Sequence, residues 1–198
     1  MTKPSKKRVQ AVQAPSMQAE GGRAPFVPPI TISDRQLLDG GRDDAFREVL
    51  YLMVSSLGRL QDCREAFARA IRLSSPQFAV LMGTAYKQGS AGISIRDLAA
   101  YVQLAATHVT TEVGRLHQLG YLEKHPSPDD RRSVLVKMTS LGEQTVKTVA
   151  PFVRAVNDQL FAEVTRSELD LLHHFFRRFC VNSDNALVEI RETESKVG

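Results

Sequence analysis

The chain has 198 residues, 42% hydrophobic and 24% charged, which is the balance of a globular protein with room for one domain and an appendage. No apolar run approaches the roughly 20 residues that span a bilayer, and no apolar segment follows the basic N-terminus to make a secretory signal, so the expected place is the cytoplasm. The net charge of +4 is no guide to the folded body: Lys3, Lys6, Lys7, Arg8 and Arg23 against Glu20 account for all of it within the first 25 residues.

Residues 1–32 hold Pro4, Pro15, Pro25, Pro28 and Pro29 with Gly21-Gly22, and few large apolar residues precede Phe26. This composition predicts a disordered basic arm. From Asp43, apolar residues recur at helical spacing (Phe46, Val49, Leu50, Met53, Val54, Leu57, Leu60, Phe67, Ile71), predicting one long helix to about Leu73. Its apolar stripe is wider than a lone surface helix needs. Ser75-Pro76 predicts a fresh helix start with Ser as N-cap, and Phe78, Leu81, Met82 and Ala85 mark its inner face.

The stretch from Ser94 to Gly142 carries most of the information. Ser94 and Asp97 form a capping-box pattern, stapled by Ile93 and Leu98, and that helix turns at Gln103-Leu104. A second helix follows over about Ala106 to Leu119, with Val109, Val113 and Leu116 inward and Gly120 as terminator. Tyr121–His125 and Val134–Met138 read as two strands around the polar loop Pro126–Arg132. The order is a helix-turn-helix followed by a wing. Thr139 caps a further helix to about Val164, with a kink or break expected at Pro151. Thr165 and Glu168 form a second capping box before Leu169, Leu172, Phe175, Phe176 and Phe179; the last residues add a turn or two of helix.

The fold class is therefore mainly α with a small β-wing: a winged helix-turn-helix flanked by further helices. The expected organisation is an arm over 1–32, a helical region over 33–73 and 140–193, and a DNA-binding winged helix over 74–139. A recognition helix enters the major groove with its N-terminal residues nearest the base edges, which here are Thr107, His108, Thr110 and Thr111. Arg131 and Arg132 at the wing tip suit the minor groove, with Asp130 holding the Arg132 guanidinium.

These residues resemble the MarR family of winged-helix regulators. The resemblance rests on Leu98-Ala99, His108-Val109-Thr110, Leu116, Gly120, Asp130-Arg131-Arg132 and Met138-Thr139-Ser140-Leu141-Gly142, in register without a gap, and it covers about residues 43–182. Ala105 stands where many members have an N-cap Asp or Ser, Thr111 where Arg is common, and Gly114 where Asp is common. The resemblance implies a homodimer that represses transcription from a pseudo-palindromic operator, with the helical region over 33–73 and 140–193 as its helical dimerisation domain. It also implies a small effector, anionic or phenolic, with an aromatic ligand as one expectation, held near Met53, Phe78 and Met82.

Two other readings remain at this level. One is a thiol-based redox sensor using Cys63 or Cys180, against two reduced and partly buried thiols. The other is a winged-helix interaction module that does not bind DNA. An enzyme is not expected. His173-His174 and Glu168 have no third ligand at a metal spacing, and no cofactor or metal is implied.

Overall fold

The computed structural model describes residues 26–128 and 133–197. The chain divides into two units, Met1–Met53 and Val54–Gly198. Of the disordered arm expected over 1–32, residues 1–25 fall outside the described residues, and residues 26–32 lack regular structure but are tied down at Thr31.

In the N-terminal unit, residues 26–34 lack regular structure, a short 3-10 turn spans Arg35–Leu37, and helix α1 (Asp44–Ala70) begins. Asp43 is buried just ahead of α1. Its Oδ2 accepts from the Thr31 backbone N–H at 2.6 Å and the Thr31 hydroxyl at 2.7 Å. The Thr31 hydroxyl, then its amide, holds the Asp43 carboxyl below the usual range. Bonds from Arg42 and then Arg47 lower Asp44 to about 2.

The larger unit holds α2 (Ser75–Lys87), β1 (Ile93–Ser94), α3 (Ile95–Val102), α4 (Ala106–Gln118), β2 (Leu122–Pro126), β3 (Val134–Met138), α5 (Ser140–Leu160) and α6 (Arg166–Val197). The sheet is antiparallel in the order β1-β3-β2, with Ile93 opposite Val136 and Leu122 opposite Met138. Strand β1 has two residues, too few to show alternation, so the sequence offered only the other two strands. Leu81, Leu98, Val109, Val113, Leu116, Leu122 and Val136 form one core. Phe67, Ala68, Phe78 and Val149 form a second, with Cys63 and Met82 packed against it.

Several local expectations are corrected. The α2 N-cap is Ser74, not Ser75: Gln77, the residue able to reciprocate, lies three residues after Ser74, and its Oε1 accepts from the Ser74 N–H at 2.9 Å. Asp97 takes the Ser94 hydroxyl at 2.7 Å rather than its backbone N–H, so that box is only half formed. Helix α5 continues through Pro151 but stops at Leu160. The Thr165–Glu168 box forms, and the Thr165 hydroxyl lowers the Glu168 carboxyl. Helix α6 then runs 32 residues, well beyond the expected extra turn or two.

Two glycines show how closely the pieces approach. A Cβ on Gly83 would lie 2.5 Å from Val102 Cγ1, so α2 and α3 meet there without room for a side chain. A Cβ on Gly142 would collide with the Tyr121 carbonyl, while Thr139 accepts from the Gly142 N–H at 3.1 Å and donates to Gly120 O at 2.6 Å. The first turn of α5 is thus seated on the root of β2.

Candidate nucleic-acid interface and adjacent cavity

Helix α4 presents two faces. Val109, Val113 and Leu116 are fully buried, while Thr107, His108, Thr110 and Thr111 are all exposed. Burial of the first set fixes the rotation of the helix and thereby projects the second set outward. Ala105, the N-cap residue, makes no side-chain cap bond. The first-turn N–H groups therefore keep their positive end toward solvent.

The threonine hydroxyls are already committed as donors. Thr110 Oγ1 donates to Ala106 O at 2.7 Å and Thr111 Oγ1 to Thr107 O at 3.1 Å. In this arrangement each offers outward a hydroxyl lone pair and a methyl, which suits a base amino group or a thymine methyl rather than a phosphate oxygen. His108 Nε2 lies 3.5 Å from Glu112 Oε1.

Two residues of this helix escaped the sequence reading. Glu112 is only 2% exposed, on the buried side. Arg115 lies one turn beyond Thr111, with NH1 2.7 Å from Glu112 Oε1. A charged residue at an inward position breaks the apolar pattern and leaves no periodic signal. Arg115 gives no sequence signal of its own, since it lies beyond the N-terminal turns that a major-groove helix turns to the bases.

The wing is anchored at its base. Ser127 N donates to Ser133 O at 2.9 Å, and His117 Nδ1 lies 2.9 Å from Leu122 O. A carbonyl only accepts, so that ring nitrogen carries hydrogen. Asp130, Arg131 and Arg132 lie outside the described residues.

A cavity of about 340 Å³ opens between α1, α2, α3 and α5. Phe78 and Met82 line it, with Phe67, Val102 and Val153 as further apolar wall and Arg64, Tyr86, Tyr101 and Asn157 as polar groups. Met53 belongs to the N-terminal unit and is not in this lining. Cys63 is half-buried, but Cys180 is exposed, contrary to expectation, because no α6 side chain is buried within this chain. His173 and His174 are exposed with ring centroids 5.6 Å apart, and no metal-competent cluster exists among the described residues. Nor is any described helix long and apolar enough to cross a membrane.

Residues 73–133, the stretch from α2 to the wing, match the model of the MarR family. Over this stretch the chain is similar to MarR-family winged helices. It is 28% identical over 111 residues to the transcriptional activatory protein BadR of Rhodopseudomonas palustris, covering 56% of this chain and 63% of that one. The chain spans just under two thirds of the length of the curated relatives it matches. Among solved MarR-like folds, CouR of Rhodococcus jostii bound to p-coumaroyl-CoA has a TM-score of 0.59 at 18% identity, over 66% of this chain and 90% of that one. A mutant MarR of E. coli complexed with operator DNA has a TM-score of 0.55 at 22% identity, over 69% and 98%. These likenesses bear out the mainly helical winged-helix class.

Proposed function

We propose that this protein is a homodimeric, DNA-binding transcriptional repressor whose operator affinity is set by a small aromatic ligand. The observation that carries the reading is the outward polar face of α4. Thr107, His108, Thr110 and Thr111 are exposed on a helix whose other face is locked into the core, beside a hairpin closed at its base. That is the form a major-groove reader needs. Asp130, Arg131 and Arg132 supply the wing contacts in this reading. Support from relatives lies in the operator complex of the E. coli protein.

The dimer is supported by α6. Leu169, Leu172, Phe175, Phe176 and Phe179 are all exposed, a larger apolar face than a lone chain in water keeps. A second copy would cover it and set two α4 helices to read half-sites about one helical turn apart. Ligand control is supported by the cavity: Phe67, Phe78 and Met82 offer an apolar slot for a ring, and Arg64 offers a cation for an acidic group. CouR, similar in fold, holds p-coumaroyl-CoA.

A gel shift with the DNA upstream of its own gene tests the reading. The expected result is a salt-sensitive complex of one dimer, weakened by aromatic acids or their thioesters. Equal affinity for that DNA and for unrelated duplex would overturn it.

A further inference from the structure

Resting on the DNA-binding reading above, we propose that Glu112 is a positioning residue. It fixes the Arg115 guanidinium for a sequence-specific contact with duplex DNA.

Glu112 occupies a position where packing alone favours an apolar residue. Its neighbours Val109, Val113 and Leu116 are fully buried, and Glu112 is 2% exposed among them. Oε1 receives Arg115 NH1 at 2.7 Å and has His108 Nε2 at 3.5 Å on its other flank. Oε2 is buried and accepts no hydrogen bond in the structure. Holding a carboxylate in the interior with one oxygen unsatisfied is destabilising, and such a group calls for an explanation outside the core.

Arg115 supplies it. Its side chain is 58% exposed, on the same helix stripe as Thr107 and Thr111, eight and four residues earlier. A guanidinium presents five N–H donors in a rigid fork. One is spent on Oε1, and the rest keep a fixed direction along that stripe. The tether removes rotamer freedom before DNA arrives, so less is lost on binding. The carboxylate also offsets the guanidinium charge at long range. Arg115 thus adds little to sequence-independent attraction and acts where its fork meets a matching acceptor pair.

The test measures fluorescence anisotropy on two duplexes of equal length, one from the promoter of its own gene and one of random sequence, in rising salt. For Glu112→Gln and Glu112→Leu the expected promoter affinity falls about five- to tenfold, random-duplex affinity holds or rises, and Tm holds or rises. Arg115→Ala lowers promoter affinity about tenfold and relaxes the preference while leaving the salt slope nearly unchanged. Arg115→Lys keeps the slope but not the preference. On the Arg115→Ala background, Glu112→Leu has no further effect on the preference.

A wild-type preference retained by Glu112→Gln overturns the proposal, as does a full Glu112→Leu effect without Arg115. The isosteric Gln variant keeps the test decisive should the Leu variant fail to fold. A wild-type protein with no promoter preference sinks the DNA-binding reading itself, which is a separate outcome.

Discussion

Helices α4 and α6 are both amphipathic, yet their apolar faces meet opposite fates. Val109, Val113 and Leu116 of α4 are shut away from solvent by α2, α3 and β2. Phe175, Phe176 and Phe179 of α6 stay exposed, two of them stacked on each other with centroids 5.6 Å apart. Periodicity states that a helix will bury a face. It does not state whether the cover comes from the same chain. The winged helix completes its own core, whereas the apolar face of α6 stays uncovered within this chain.

The sharpest way to break this comparison is truncation on each side. Leu116→Ala is expected to cost about 2–5 kcal/mol in urea unfolding, whatever the protein concentration. Phe176→Ala should cost little in dilute solution and weaken assembly at high concentration, read by light scattering. An equal, concentration-independent loss from both would erase the distinction.

A smaller effect sharpens the contrast within the winged helix. Helix α2 has a full capping box at Ser74, and α4 has no side-chain cap at Ala105. Ala105→Ser is therefore expected to raise stability by about 0.5–1 kcal/mol in thermal melts. No gain would mean the first turn of α4 is already satisfied.

The smallest effect concerns acid. Asp43 and Asp44 both have folded pKa values below their unfolded ones, Asp44 at about 2. A depressed carboxyl contributes stability above its unfolded value of about 3.9, and that contribution is lost as pH falls through the folded value. The Thr31 amide resonance should accordingly shift as pH falls below the ordinary carboxylate range, and Asp43→Asn should abolish the shift.

The sequence carried the winged-helix core well, because Val109, Val113, Leu116, Leu122 and Val136 sit at regular spacing between strong stops such as Gly120. It carried the outward residues of α4 by subtraction, since positions facing away from the core are what remains. It missed β1, whose two residues give no alternation, and it placed one N-cap a residue late by weighing Pro76 over Gln77. Glu112 was hidden for a physical reason. A carboxylate on the inner side contradicts the pattern used to find that side, and only the three-dimensional burial exposes the conflict.

The seat of α5 on Tyr121 has a mechanical consequence. Near one end of this helix, which is about 30 Å long, Val153 and Asn157 border the cavity. At the other end, Thr139 and Gly142 clasp the backbone where the wing begins. The one interruption of the ladder between them is Pro151, which the helix passes through. One continuous element thus borders the cavity with one end and carries the root of the hairpin on the other.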